Sequence, residues 1–491
     1  MQTAKKMIVA KAMQPGLRIL PSKRFLSTAR CTPPGTLTPK TRSVQTRVSR
    51  SVLDQPLRGD GALSRRFYSS TSIDRGDQPS TVPIPIDGKT VNFSAVLLRD
   101  SCPCPSCVHE STNQRLFSVA DIPANLKART VEVDTASESV SISWENDAHG
   151  CAPEHTTKLD MATLRSFSQP ASSPTSCLPS QILWGREPRK SLDLPDYNYD
   201  TYMKDDETLY KLINQLRTDG LAFVTNVPGV EESLATIATR IGPIKDTFYG
   251  YTWDVRTVPQ AINAAYTSHD LGFHTDLLYF QQPPHIQLLH CVQSASSGGA
   301  SVFADAYKAA VDLFETDMDA FDTLATVPVN YHYNHPDANV YRTTKPVIDL
   351  RPMRIGDKIY TRVQDYFEDI CDESEAALVD CMDKINWGPP FLAPFSNHEA
   401  QGVSALNDKV ERWHEAAVKF NALLQRPEYL FERKMNPGDC VLFDNTRTLH
   451  SRRAFDMVDV GKPRWLRGTY VDKDPYLSKL RVLQNKFGRE E

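Results

Sequence analysis

The sequence predicts a mainly β fold with flanking helices: a jelly-roll domain preceded by a small β domain that binds metal. Three observations predict it. Short apolar runs punctuated by turn signals recur from residue 286 to residue 471, three cysteines crowd into residues 102–107 behind a hairpin pattern, and helical periodicity is confined to a few separate segments. The 491 residues are enough for two or three domains with sizeable cores. A net charge of −4 offers no basic face for nucleic acid, and no apolar run approaches the ~20 residues a membrane-spanning helix needs.

Up to residue 72 the only acidic residues are Asp54 and Asp60, while Lys, Arg, Ser and Thr abound, the profile of a mitochondrial transit peptide. Residues 1–75 are therefore set aside as transit peptide and linker, with the mitochondrial matrix as destination. Residues 83–99 alternate like a hairpin turning at Asp87-Gly88. They run into Cys102, Cys104 and Cys107, whose thiols can converge on one ion, and a structural zinc wants a fourth Cys or His. His149, Cys151 and His155 are the candidates, lying just beyond a strand pair at 130–134 and 139–144. The zinc-binding β domain is placed at 83–168, and the Pro- and Ser-rich stretch 169–199 reads as a connector.

The second domain, 200–485, opens with a helix at 205–217, a buried strand at 220–224, and a helix at 231–241 ended by Gly242-Pro243. Residues 248–291 then gather Tyr249, Tyr251, Trp253, Tyr266 and Tyr279 around His274-Thr275-Asp276. An imidazole and a carboxylate two residues apart on an extended strand point to the same side, as two ligands of one metal must. Strand-like runs follow at 286–292, 300–304, 328–333, 347–350, 358–363, 440–443 and 465–471, with helices at 306–314 and 407–424 packing outside. No internal repeat is present.

A facial triad for non-haem iron needs a third ligand and leaves three positions for co-substrate and dioxygen. His450, late in the chain behind a turn and a buried strand, is placed to supply it. Arg464 is the natural partner for the distal carboxylate of a 2-oxo-dicarboxylate; Arg467 lies on the opposite parity, so only one of the two should face the site.

At these residues the sequence resembles the gamma-butyrobetaine and trimethyllysine dioxygenases. The resemblance is carried by Leu98 to Cys104 with Cys107, by Phe248-Tyr249-Gly250 with Trp253, and by Phe273 to Asp276. It continues through Ile286 to Cys291, Asn436 to Asp439, Phe443-Asp444-Asn445 and Leu449-His450. The resemblance implies a double-stranded β-helix catalytic domain, Fe(II) on His274, Asp276 and His450, 2-oxoglutarate on Arg464, and structural zinc on Cys102, Cys104, Cys107 and His155. It further implies ascorbate as reductant and a homodimer. The family's cage for a small quaternary-ammonium substrate carries over to Tyr249, Trp253, Tyr266 and Tyr470, leaving Tyr251 and Tyr279 to packing. A quaternary ammonium has no N–H to donate and is recognised by aromatic faces.

Asn263 matches the butyrobetaine-type enzyme, whose substrate ends in a carboxylate; the trimethyllysine enzyme has an acidic counterpart there, suited to an α-amino group. Against it, Asp365 stands where the family has an Asn-Asn pair and would repel a substrate carboxylate. The expected reaction is hydroxylation of gamma-butyrobetaine to carnitine with release of succinate and CO2. The alternatives are trimethyllysine or another betaine as substrate, or an inactive binding protein of the same fold.

Overall fold

A computed structural model describes residues 80–148, 152, 154–168, 178–185, 193–256, 269–295, 297–372, 374–396, 402–455 and 464–488. The segment expected to be a transit peptide, together with His149, Cys151, Asn263 and Tyr266, lies outside the described residues. The chain divides between Leu164 and Arg165 into two compact units.

In the first unit, β1 (Thr81–Ile86) and β2 (Lys89–Ser94) form an antiparallel hairpin. Asp87 and Gly88 both take positive φ, the backbone a tight two-residue hairpin turn demands. Val82, Ile84 and Ile86 face inward, while Pro83 and Pro85, which have no N–H to donate, occupy the exposed face. The hairpin pattern does not continue to residue 99 as expected: the chain turns into helix α1 (Ala95–Asp100), which buries Leu98 and Arg99 just ahead of the cysteines. A three-stranded sheet β3 (Ala128–Asp134), β4 (Ser139–Trp144) and β5 (Thr156–Asp160) leads into α2 (Met161–Ser168).

The second unit begins with β6 (Asp196–Asn198), α3 (Tyr199–Lys204), α4 (Asp206–Thr218), β7 (Leu221–Thr225) and α5 (Glu232–Ile241). Next come β8 (Trp253–Arg256), β9 (Leu271–His274), β10 (Ile286–Gln293) and β11 (Ser301–Asp305), then α6 (Ala306–Thr316) and α7 (Met318–Thr326). A run of short pieces follows: β12 (Val329–His335), β13 (Asn339–Lys345), β14 (Ile348–Leu350), β15 (Met353–Ile355), β16 (Lys358–Tyr360), α8 (Val363–Ile370), α9 (Glu375–Cys381) and β17 (Met382–Ile385). The long α10 (Gly402–Leu424), β18 (Leu430–Arg433), β19 (Cys440–Asp444), β20 (Thr448–Arg452), β21 (Trp465–Val471) and α11 (Lys473–Phe487) complete it.

Two sheets make the jelly roll: six strands in the order β6-β7-β19-β10-β21-β8, and four in the order β18-β11-β20-β9. Strand alternation explains why the central strands read as continuous apolar runs. Along β10, Ile286 and Leu288 pack on one face with Leu212 of α4, Ile237 of α5 and Leu480 of α11, while Leu289 packs on the other with Phe303 and Phe443. Both faces are covered, so both parities are apolar. Phe303 of β11 and Phe443 of β19 meet at 5.4 Å between the sheets. The fold is a jelly roll with mixed sheets and helices rather than a mainly β protein, since helices and strands hold comparable numbers of described residues. The run at 358–363 ends as a strand at Tyr360 and turns into α8.

Candidate active site

His450 of β20 stands directly opposite His274 of β9 in the sheet register, and the two imidazole centroids lie 4.1 Å apart. The carboxylate arrives differently from the sequence expectation. Strand β9 ends at His274, so Asp276 is delivered by a turn rather than by the pleat of a strand. In that turn the buried Leu277 takes φ +56°, a left-handed conformation that costs a residue with a Cβ about 1 kcal/mol.

Clamps on both sides hold the turn. The Thr275 N–H donates to the Trp387 carbonyl at 2.7 Å and its hydroxyl to the Ile385 carbonyl at 3.0 Å. Asn445 accepts from the Asp276 N–H at 2.8 Å and donates to the Asp276 and Pro284 carbonyls at 3.2 and 3.0 Å. As a result Asp276 Oδ1 sits 3.3 Å from His274 Nε2 and 3.9 Å from His450 Nε2.

Protonation states suit a metal. The Gly272 carbonyl, 2.8 Å from His274 Nδ1, can only accept, so Nδ1 carries a proton and Nε2 is the atom turned towards Asp276 and the cluster. Burial, with His274 alongside, pushes His450 down to about 3 and keeps it neutral. For Asp276 burial opposes ionisation, but hydrogen bonding to His274, the neighbouring imidazoles and the Tyr470 hydroxyl hold the carboxyl well below the usual range. Two imidazoles and one carboxylate, with ligand atoms all within 4.8 Å, are a donor set that could hold a divalent iron with further positions open.

The pocket beside this cluster is walled by both sheets, with Leu289, Tyr470 and Trp253 from one and Phe303, His274 and His450 from the other. Arg464 lines it immediately before β21. Burial and the nearby Arg452 lower its guanidinium to about 10, so it is still charged at neutral pH, and no acidic side chain among the described residues offsets that cost. A buried, uncompensated cation is suited to an incoming carboxylate. Arg467 instead donates to Thr252 at 2.9 Å and lies 3.3 Å from Glu231 and from Asp254.

Of the expected cage, Tyr249, Trp253 and Tyr470 all line the pocket, with Trp253 at 6.3 Å from Tyr249 and 5.3 Å from Tyr470 between ring centroids. Tyr279, assigned to packing from the sequence, is a further aromatic wall: it lines the pocket with its hydroxyl 3.3 Å from that of Tyr249. Tyr251, also assigned to packing, is half exposed. Phe391 and Gln287 line the pocket too and escaped the sequence reading. For Gln287 a signal existed, an amide on the inward parity of a buried apolar strand. Asp365 is exposed in the first turn of α8 and does not line this pocket, which removes the objection that it would repel a substrate carboxylate there.

In the first unit, His155 Nε2 lies 3.4 Å from each of the three thiol sulfurs of Cys102, Cys104 and Cys107. Tetrahedral zinc with ordinary bond lengths would put such edges at about 3.5 Å. Burial and the charge of Cys102 push Cys107 up to about 12, so three thiolates are not stable together without a cation among them. His155 Nδ1 meets Asp147 Oδ2 at 2.7 Å, Arg99 pairs with the same carboxylate, and Arg99 also reaches Cys107 Sγ at 3.3 Å. A carboxylate behind the histidine fixes its tautomer, as at metal sites generally.

Residues 178–470 match the family described as taurine catabolism dioxygenase TauD, TfdA, and residues 81–152 match the gamma-butyrobetaine hydroxylase-like N-terminal family. Dioxygenase str8 of Strobilurus tenacellus is 35% identical over 399 residues, covering 79% of this chain and 84% of that protein. The gamma-butyrobetaine dioxygenase of Pseudomonas sp. (strain AK-1) is 30% identical over 401 residues, covering 81% and 92%. Mitochondrial trimethyllysine dioxygenase of Homo sapiens is 27% identical over 395 residues, covering 80% and 83%.

Proposed function

The chain belongs to the TauD, TfdA dioxygenase family, together with the gamma-butyrobetaine and trimethyllysine dioxygenases, and is a 2-oxoglutarate-dependent dioxygenase; from that premise we propose that it hydroxylates gamma-butyrobetaine to carnitine. One observation carries the substrate choice: the pocket beside the His-Asp-His cluster is walled by aromatic faces, and Asp276 is the only carboxylate among its described lining residues. A trimethylammonium is satisfied by such faces at roughly 0.5 to 2 kcal/mol each. The α-amino group of trimethyllysine would find no acidic partner among those described residues, at the cost of a buried unpaired charge.

His274, Asp276 and His450 would hold Fe(II), and Arg464 would hold the distal carboxylate of 2-oxoglutarate bidentately. The bound iron, with 2-oxoglutarate and dioxygen, supplies the oxidant that replaces C–H by C–OH, one oxygen atom going to the product and the other to succinate as CO2 leaves. The chain's own contribution is orientation: Tyr249, Trp253 and Tyr470 fix the cationic end, so that one carbon of the chain attached to it faces the metal. Ascorbate would serve as reductant. Tyr266 and Asn263 belong to the same substrate site in this reading.

Zinc on Cys102, Cys104, Cys107 and His155 would stabilise a domain spanning residues 83–168, joined by residues 169–199 to a catalytic domain at 200–485, with the whole working as a homodimer. Residues 1–75 would direct import into the mitochondrial matrix. Their basic, acid-poor composition supports this, as does the mitochondrial location of the trimethyllysine dioxygenase relatives. Retention in the cytosol of a reporter fused to residues 1–75 would overturn the location.

The deciding measurement is succinate production by the mature protein with Fe(II), ascorbate and 2-oxoglutarate, with each betaine supplied separately. Stimulation by gamma-butyrobetaine several-fold above that by trimethyllysine is expected. The reverse order would transfer the assignment to trimethyllysine, and no stimulation by either would end both readings.

A further inference from the structure

Asp276 presents its two oxygens to different surroundings. Oδ1 is the atom near the imidazoles, 3.3 Å from His274 Nε2 and 3.9 Å from His450 Nε2. Oδ2 accepts two hydrogen bonds, from Gln287 Nε2 at 2.7 Å and from the Tyr470 hydroxyl at 2.9 Å. Gln287 and Tyr470 are direct cross-strand partners in the β10/β21 register, so their side chains leave the same face of the sheet side by side and converge on one oxygen. We propose that Gln287 and Tyr470 are positioning residues that hold Asp276 as a one-oxygen ligand and thereby keep a coordination position free for dioxygen. The proposal rests on the reading of His274, Asp276 and His450 as an iron site.

Counting positions shows why this matters. An octahedral ion held by two imidazoles and one carboxylate oxygen has three positions left, two for the keto-acid end of 2-oxoglutarate and one for dioxygen. If the carboxylate swung to bind through both oxygens, a chelated 2-oxoglutarate would fill the remaining two and dioxygen would have none. Two charge-assisted hydrogen bonds on Oδ2 oppose that swing, each stronger than a neutral one.

Gln287 bears a second mark of being kept for this purpose. It is buried to 1% exposure among apolar neighbours, and its Oε1 has no hydrogen-bond partner among the described residues. An orphaned buried acceptor is destabilising, a cost that a leucine at this position would avoid. The amide cannot turn over to relieve it, because Oε1 would then face a carboxylate oxygen. The N–H to Asp276 is what the position retains.

Tyr470 joins the two halves of the site. Its ring packs against Trp253 at 5.3 Å and walls the substrate pocket, while its hydroxyl holds the metal ligand. The two roles separate in Tyr470→Phe, which keeps the ring and removes only the hydroxyl.

The test uses the purified, folded full chain loaded anaerobically with Fe(II). Titration with 2-oxoglutarate is followed by the visible charge-transfer band of the complex, and succinate formed per hydroxylated product is then counted in air. In Tyr470→Phe and Gln287→Leu we expect iron content within twofold of wild type, a shifted charge-transfer band, 2-oxoglutarate affinity about 5- to 10-fold weaker, and a succinate-to-product ratio above one. The KM for the ammonium substrate in Tyr470→Phe should stay within about twofold, whereas a tyrosine serving the cage alone would leave the band and the ratio untouched. Unchanged bands, affinities and ratios in both variants, with iron bound as in wild type, would overturn the proposal. Failure of the wild-type chain to bind iron, or equal iron in wild type and His450→Ala, would instead sink the iron reading and this inference with it.

Discussion

His290 is buried without a compensating partner among the described residues. It is fully buried, neither ring nitrogen has a hydrogen-bond partner among the described residues, and it pairs across the sheet with Arg467. Burial, reinforced by Arg467, lowers it to about 4 from an ordinary value of 6.5. Between those values the unfolded chain binds a proton that the folded chain refuses, so stability is whole above about pH 6.5 and is lost as pH falls towards 4, by roughly 3 kcal/mol in the limit. His290→Leu should therefore flatten the acid side of the stability profile. Urea midpoints at pH 7 and pH 5 should differ less in the variant than in wild type; an equal difference would assign the acid sensitivity elsewhere, with His285 next in line because burial lowers it too. Legibility in the sequence divides along similar lines. His274, Asp276, His450 and Arg464 could be picked out because their residue types and order imply a metal and a carboxylate. Tyr279 could not, because its role depends on which neighbour the fold places beside it, and the amide of Gln287 in an apolar strand marked the position but not its partner.

At the scale of elements, strand β21 carries Tyr470 and lies next to Arg464, and a single glycine within it sets the shape of the pocket. A Cβ on Gly468 would come within 2.2 to 2.5 Å of three atoms of the Trp253 ring, which lies flat over the strand from neighbouring β8. An indole cannot shorten to make room. Gly468→Ala should displace Trp253 and raise the KM for the ammonium substrate about tenfold while leaving that for 2-oxoglutarate nearly unchanged. A parallel rise in both constants would mean that the strand itself has shifted. In the first unit a zinc ion on Cys102, Cys104, Cys107 and His155 would play the organising part, since only short strands and short helices make up the unit. His155→Ala or a strong chelator should remove one zinc per chain and lower the unit's melting temperature by ten degrees or more, read by metal analysis and calorimetry. Element boundaries were legible where turn chemistry is local, as at Asp87-Gly88. They were not where an apolar run fits two structures: residues 95–99 continue the hairpin's alternation yet form a helix, and the hairpin's last pair among the described residues is Thr81 with Ser94.

Across the whole catalytic unit, one buried ion pair ties together segments far apart in sequence. Arg447 and Asp305 are both fully buried, with Nη2 to Oδ2 at 2.7 Å and Nε to Oδ1 at 3.1 Å. Arg447 also donates to the carbonyls of Thr218 and Ile182 at 2.8 and 2.7 Å. Asp305 accepts from the Trp184 N–H at 3.1 Å and caps α6 through the Tyr307 and Lys308 N–H groups at 3.1 and 3.3 Å. The pair therefore locks the loop before β20 to the end of β11, the start of α6 and the chain around residues 182–184. Since β20 carries His450 three residues beyond Arg447, the lock also fixes where that imidazole stands. No sequence pattern announces such a pair, because its partners are 142 residues apart and each alone reads as an ordinary charged residue. Breaking it from one side should be worse than removing it altogether. Arg447→Met leaves a buried carboxylate unpaired and should cost about 3–5 kcal/mol, whereas Arg447→Met combined with Asp305→Asn removes the stranded charge and should recover part of that loss. Denaturant midpoints of the two variants decide the matter: a double variant less stable than the single by the full cost of a second independent lesion would show that the two residues act separately.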